Sequence, residues 1–169
     1  ALIIGVPLGI LCAIFLSCFG GKKVVRIAKS GVQLLAGIPS VVYGFFGLVV
    51  LVPFIRETLG GTGQSVLCAS LVLGIMILPT IITLSESALN AVPDPYYEGA
   101  VALGADHERT VVKVVVPAAA SGILASIILA LGRAIGETMA VIMIAGNQVQ
   151  IPTAITEGVR TMTANIVLE

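Results

Sequence analysis

Residues 117–146 read PAAASGILASIILALGRAIGETMAVIMIAG and carry only two charged side chains, Arg133 and Glu137. A single helix over this stretch would be about 45 Å long at 1.5 Å per residue, whereas the hydrocarbon core of a bilayer is about 30 Å thick. The helix must therefore tilt, break or protrude from the membrane. Gly132 and Gly136 each precede one of the charged residues, and they are the predicted positions of a bend or a close helix contact.

The composition of the whole chain indicates an integral membrane protein. Of its 169 residues 57% are hydrophobic and 11% are charged, against about 25% charged in soluble domains, and the mean hydropathy is +1.11. A lipid-exposed backbone must satisfy its own hydrogen bonds, and no period-2 alternation suggests a barrel. We therefore predict an all-α fold whose four spans are residues 1–19, 34–55, 65–84 and 117–146.

The connections between these spans differ in positive charge. The first and third connections contain six Lys and Arg residues, and the other two segments contain Arg56 and Arg160. By the positive-inside bias, residues 20–33 and 90–116 are expected to be cytoplasmic. The net charge is zero and indicates nothing about partners.

The sequence contains no recognisable motif for binding a metal ion or a nucleotide. The three cysteines are scattered without CxxC spacing, and His107 is the single histidine, so neither a disulfide framework nor a metal site is indicated. We expect His107 to be a surface residue. No GxxxxGK[ST] stretch is present, so the chain cannot cradle ATP phosphates in that way.

The third connection, NAVPDPYYEGAVALGADHERTVVKVVVP at residues 90–117, is predicted to contain a short amphipathic helix. Pro93 and Pro95 should end the third span, and residues 96–113 suit a helix on or just below the membrane surface. Gly104 would let another segment approach or would let the chain turn. The alternative is a solvated helix that merely joins two spans.

The spacing in this connection resembles the cytoplasmic coupling motif of ABC importer permeases. That motif is Glu-Ala-Ala, three residues, Gly, nine residues and Ile-x-Leu-Pro. The matching positions here are Glu98, Gly99, Ala100, Gly104, Val114, Val116 and Pro117. Gly99 departs from the motif and should slightly soften the helix start, and the two valines are milder departures.

Four further segments are similar to phosphate importer permeases of the PstC-type subunit. They are LLAGIPSVVYGFFGLVVLVP at residues 34–53, LGIMILPTIITLSESALNAVP at 73–93, LGRAIGETMAVIMIAGN at 131–147 and VRTMTANI at 159–166. The resemblance implies a polytopic helical bundle of the type I importer, MetI-like kind. It also implies one permease domain over residues 1–169 that lacks one span at each end.

The same resemblance implies partners and a mechanism. The partners would be a second permease chain (PstA-type), an ATPase dimer (PstB-type) and a periplasmic phosphate-binding protein (PstS-type). The ATPase would dock on Glu98, Gly99, Ala100, Gly104 and Pro117. ATP and Mg would be bound by that separate chain, and no cofactor by this one.

Arg133 and Glu137 are spaced i, i+4 and are predicted to share one helix face. Each alone at the bilayer centre would cost about 2.5–3.5 kcal/mol. The guanidinium of Arg133 offers a fork of donors that suits phosphate oxygens. Glu137 would partly cancel the positive potential of Arg133, or it would accept a hydrogen bond from protonated phosphate. The second role would disfavour sulfate. The alternative is a structural ion pair, so whether Glu137 contacts phosphate or only pairs with Arg133 stays open.

Other polar residues in the spans have ordinary structural interpretations. We expect helix-packing hydroxyls, and we expect Glu86 to be interfacial or to pair with a basic residue. The hydroxyl residues concerned are Ser40, Thr83, Ser85 and Thr138.

Three alternative functions remain. The chain could be a permease for another oxyanion, such as molybdate or sulfate, or a structural subunit of a membrane complex, which would leave the coupling motif unexplained. An intramembrane enzyme using Glu137 would lack a nucleophile–base pair and a second buried carboxylate nearby in sequence.

Overall fold

The computed structural model describes all residues from Ala1 to Glu169, and nine helices account for most of them. The single β feature is an isolated parallel bridge between Gly146 and Val159, so the predicted all-α fold is confirmed. The helices are α1 (Leu2–Phe19), α2 (Lys22–Gly37), α3 (Ser40–Leu59), α4 (Val66–Asn90), α5 (Asp94–Ala102), α6 (His107–Ala118), α7 (Ala120–Gly136), α8 (Met139–Ile144) and α9 (Met162–Leu168).

Three helices, α1, α3 and α4, are each long and apolar enough to cross a membrane. The second span begins at Ser40 and not at residue 34, because the residue before Pro39 is pushed out of the helical region, and residues 34–37 belong to α2. The third continues through Pro79 to Asn90, beyond the predicted end at residue 84, and it ends shortly before Pro93, which disfavours a helical residue before it.

The long apolar stretch after Pro117 is not one helix. A bend of 65° separates α6 from α7 at Ala119, and a second interruption follows Gly136. The predicted break at Gly136 is confirmed, whereas Gly132 lies inside α7. The bent pair formed by α6 and α7 is a fourth candidate span only when both helices are counted together.

Helix α2 was not predicted, although its polar residues repeat at helical spacing. Its basic residues share one face, whereas Val24, Ile27 and Leu34 form an exposed apolar stripe, with 53–74% of each side chain accessible. Such separation is typical of helices that lie in the membrane interface. Its Lys29 forms an ion pair with Glu86 at 2.5 Å, which confirms that Glu86 pairs with a basic residue.

The helices pack as two compact units. The first comprises residues 1–4, 37–77 and 132–169. Its core joins α3, α4 and α8 through buried residues that include Tyr43, Val72 and Ile144. Gly44 allows α3 and α8 to approach closely, because an ideal Cβ there would lie 2.8 Å from Ala140 Cα. This unit contains Arg133 and Glu137.

The second unit comprises residues 5–36 and 78–131. Its core contains Leu89, Val115 and Ile123. The Ser85 and Ser126 hydroxyls lie 2.8 Å apart and are fully buried between α4 and α7. The prediction that Ser85 is a helix-packing hydroxyl is thus confirmed, and the unit positions the connection between residues 90 and 117.

Candidate functional site

The two charged residues of the apolar stretch do not share one helix face, so that prediction is wrong. Arg133 lies in the last turn of α7 and is exposed. Helix α7 ends at Gly136, and Glu137 and Thr138 form an interruption before α8 begins at Met139. The four-residue spacing therefore crosses the end of a helix, which the glycines of the sequence could suggest but could not fix.

Glu137 has a structural role at this interruption. Its carboxylate oxygen Oε1 accepts a hydrogen bond from the Ala140 backbone N–H at 3.2 Å, which satisfies one of the free donors at the start of α8. Its backbone carbonyl accepts a hydrogen bond from Thr163 Oγ1 at 3.2 Å, so Glu137 also holds the start of α9. A carboxylate has several further lone pairs, and the half-buried side chain keeps acceptor capacity.

Thr138 belongs to the same interruption. Its hydroxyl donates to the Gly136 carbonyl at 3.3 Å, and its backbone lies at φ −117° and ψ −54°. The prediction of a helix-packing hydroxyl therefore gives way to a local role, in which Thr138 satisfies a carbonyl that the end of α7 leaves unpaired.

The connection contains a shorter helix than predicted. Helix α5 ends at Ala102, well before residue 113. Gly104 has φ +86°, its N–H donates to the Val101 carbonyl at 2.9 Å, and the Ala105 N–H donates to the Ala100 carbonyl at 3.1 Å. This pair of bonds is the Schellman arrangement with a left-handed glycine. The turn foreseen at Gly104 is confirmed, and it is the physical reason why the helix stops.

The residues of the coupling motif lie on an accessible segment. No residue of α5 is buried, and Glu98 and Gly99 are exposed, whereas Ala100 is half-buried. Ideal Cβ atoms at Gly99 and Gly104 would meet no atom within 4 Å. The exposed Pro117 lies two residues before the 65° bend. A partner could therefore contact this segment without displacing anything.

His107 is exposed, as expected, but it has a role that sequence reasoning missed. Its Nδ1 lies 2.8 Å from the Tyr97 hydroxyl, and its Nε2 lies 3.0 Å from the Cys18 carbonyl. The ring also meets Phe19 edge-on at 5.0 Å between centroids. His107 therefore ties α5 and the start of α6 to the end of α1.

No group of acidic, histidine or cysteine side chains in the structure could hold a metal ion. The first unit offers an arginine and a carboxylate beside a helix interruption, and the second unit offers an accessible connecting helix. With the apolar helices, these features describe a helical integral membrane protein.

Comparison with known proteins identifies the class. The family described as "Binding-protein-dependent transport system inner membrane component" matches residues 5–168. The chain belongs to this family and is a permease component.

Among its relatives, the chain is 44% identical over 167 residues to the "Probable ABC transporter permease protein YqgH" of Bacillus subtilis, covering 98% of this chain and 54% of that protein. It is 37% identical to the "Phosphate transport system permease protein PstC" of Mesorhizobium japonicum, over 100% of this chain and 58% of that protein. The PstC protein of Haemophilus influenzae is also 37% identical, over 92% and 56%. The predicted resemblance is confirmed, and the chain spans a little over half the length of these relatives.

Proposed function

We propose that this chain is the permease subunit of an ATP-driven phosphate importer and forms part of the path of inorganic phosphate through the membrane. Support comes from the relatives named as phosphate transport permeases and from the interruption between α7 and α8. A broken helix at membrane depth is tolerated where the backbone is buried in protein or lines a water-filled cavity. The interruption at Glu137 is the observation that carries the proposal.

In this proposal Arg133 attracts the anion and Glu137 adjusts how it is held. The guanidinium offers a fork of donors to phosphate oxygens, and a transport site must also release its ion. Because Glu137 uses Oε1 to cap α8, its other oxygen would accept a hydrogen bond from a protonated phosphate. Sulfate offers no such proton at neutral pH, so the carboxylate would favour phosphate.

The test is ATP-dependent phosphate uptake by the complete complex in proteoliposomes. Arg133→Gln and Glu137→Gln should each reduce uptake at least tenfold, since a hydrogen bond to a charged group contributes about 1.5–3 kcal/mol. The matched controls are Arg56→Gln and Glu57→Gln, which neutralise exposed charges at the end of α3. Wild-type uptake in both pathway variants of an assembled complex would refute the proposed path.

Selectivity decides between phosphate and another oxyanion. Sulfate or molybdate added in excess should not compete with phosphate for uptake by the wild-type complex. Glu137→Gln should lower the preference for phosphate over sulfate, and an unchanged preference would remove Glu137 from selection. Because a binding protein can impose its own preference, leakage in its absence is measured as well.

We further propose that a separate ATPase dimer docks on the connection around Glu98, Gly99, Ala100, Gly104 and Pro117. A second permease chain and a periplasmic phosphate-binding protein would complete the system, and ATP and Mg would be bound by the ATPase. Residues 20–33 and 90–116 would be cytoplasmic in a bacterial or archaeal plasma membrane, which the charge bias between connections supports.

Gly104 provides the test of coupling. Gly104→Val forces a β-branched residue into a left-handed backbone, which strains it, so ATP hydrolysis should no longer drive uptake. Gly99→Ala is the matched control, because its position is helical and open and the change restores the family pattern. Intact coupling in Gly104→Val would remove this turn from the mechanism.

A further inference from the structure

The segment that follows α8 holds one arginine in a fixed place. The Val159 N–H donates to the Ala145 carbonyl at 2.8 Å, and Gly146 and Val159 form the isolated parallel bridge. The backbone immediately before Arg160 is thus fastened to the end of α8. Arg160 Nη1 donates to Asn165 Oδ1 at 3.2 Å, which orients the guanidinium against α9.

The charge of Arg160 is not compensated within the chain. No carboxylate forms an ion pair with it, and its Nε is buried without a hydrogen-bond partner. A buried donor without a partner costs about 1–3 kcal/mol, so native proteins rarely retain one without a reason. An oxyanion at the guanidinium would compensate the charge.

The nearest acidic residue in sequence is occupied elsewhere. Glu157 accepts hydrogen bonds from the Thr153 backbone N–H at 2.7 Å, from the Thr153 hydroxyl at 3.0 Å and from the Ala154 N–H at 3.4 Å. The Thr153 backbone and hydroxyl hold the pKa of this carboxyl below its ordinary value. Glu157 therefore stabilises its own turn and leaves Arg160 available.

Arg160 lines a cavity of about 520 Å³ on this side of the chain. Its polar lining comes from Gln148, Gln150, Thr161 and Asn165, and no acidic residue contributes. Water occupies about 30 Å³ per molecule, so the cavity has room for a tetrahedral oxyanion together with several waters. The other lining residues are apolar, namely Val149, Ile151, Met162 and Ile166. Because Arg160 is the one charged residue of the lining and amides and hydroxyls can donate to anion oxygens, the cavity suits an anion better than a cation.

A second unpaired group lies in the adjoining strand of chain. Asn147 Oδ1 is a buried acceptor without a partner. The bridge pairs Gly146 with Val159, so Asn147 and Arg160 are the next residues on its two sides. Asn147 is not one of the residues that line the cavity beside Arg160, so Arg160 is the group that would hold an anion there.

We propose that Arg160 and this cavity form an outer binding site for inorganic phosphate, occupied before the ion reaches Arg133. The inference rests on the proposed function, since it takes the segment after α8 to face the side from which phosphate arrives. Two successive weak sites allow an ion to enter and to leave. The outer site would raise the local phosphate concentration at the mouth of the path.

The test compares the phosphate dependence of uptake by the complete complex. Arg160→Gln should raise the apparent KM for phosphate about ten- to hundredfold, as expected when a charged hydrogen bond is lost, with uptake at saturating phosphate nearly unchanged. Arg160→Lys should give a smaller rise. Arg56→Gln is the matched control, because it removes the other arginine expected on the same side and should leave KM unchanged.

Direct binding and a second variant separate this role from a structural one. Titration of inorganic phosphate into the complex without its binding protein should give weaker binding in Arg160→Gln, by a similar factor. Gln150→Glu adds a negative charge to the cavity at an exposed position and should raise KM even if the arginine variants fail to assemble.

Two outcomes distinguish the proposals. Wild-type uptake together with an unchanged KM in Arg160→Gln, or in Gln150→Glu if the arginine variants do not assemble, would overturn the outer site alone. Failure of the wild-type complex to transport phosphate would overturn the proposed function and the outer site with it.

Discussion

Replacing Gly44 by alanine should separate α3 from α8 and weaken the unit that carries Glu137. An ideal Cβ at position 44 would lie 2.8 Å from Ala140 Cα, 3.0 Å from Met143 Sδ and 3.3 Å from the Ala140 carbonyl oxygen. Carbon atoms pack best at about 3.5–4.0 Å. The thioether can rotate away, but the backbone atoms of Ala140 cannot, so the two helices must move apart by roughly 1 Å.

The magnitude follows from two opposed effects. Overpacking a close contact destabilises a protein by about 1–3 kcal/mol, whereas alanine in place of glycine stabilises a helix interior by about 0.5–1 kcal/mol. The net expectation is a loss of roughly 1 kcal/mol in the free energy of unfolding, within a range of about 0–2.5 kcal/mol. Movement of Ala140 would also lengthen its 3.2 Å hydrogen bond to Glu137, so phosphate uptake should fall.

The measurement is reversible unfolding of the purified chain in mixed detergent micelles. Gly31→Ala in α2 is the matched control, because no atom lies within 4 Å of its ideal Cβ, and it should be neutral or stabilising. If Gly44→Ala is as stable as Gly31→Ala, the close approach of α3 and α8 does not exist and the reasoning fails.

Three further changes test other parts of the fold. Lys29→Met leaves the Glu86 carboxylate, whose side chain is only 12% exposed, without its partner; unfolding should become easier by about 1–3 kcal/mol, and adding Glu86→Gln should restore most of the loss. The pKa of Glu157 lies below its ordinary value of 4.5 because of hydrogen bonds from residues 153 and 154. The stability that it contributes is therefore present above that value and is lost as pH falls through the lower folded pKa, so Glu157→Gln should abolish this part of the acid sensitivity measured by unfolding. His107→Ala removes two hydrogen bonds and should speed amide hydrogen exchange in residues 94–118 but not in residues 139–144. If the variant changes the exchange rates of the two segments by the same factor, His107 does not specifically hold residues 94–118 in place.

Much of the architecture follows from local properties of the chain. Apolar runs of about 20 residues predict spans, and the predicted positions of α1, α3 and α4 are close to the observed ones. Their ends shifted because Pro39 blocked a helix that composition alone would have started earlier, and because α4 continues through Pro79 and ends only shortly before Pro93. The turn at Gly104 and the break at Gly136 were also foreseeable, since glycine at such positions permits a change of backbone direction.

The charged residues show where local reasoning stops. The spacing of Arg133 and Glu137 indicates a shared face only if one helix contains both residues. The helix ends at Gly136, so Glu137 lies outside it. Glu137 then caps α8 and holds α9 through Thr163, a residue 26 positions away. The pattern of residues within 117–146 could not have predicted that contact.

The sequence by itself determined a helical membrane permease, the approximate spans and the spacing of the coupling motif, because each depends on the composition or order of neighbouring residues. Only the tertiary structure decided that Lys29 pairs with Glu86, that Glu137 caps a new helix, and that Arg160 keeps an uncompensated charge beside a cavity without acidic side chains. These outcomes depend on which helix faces meet and at what distance, and the free energy of those contacts is set by packing between residues far apart in the chain.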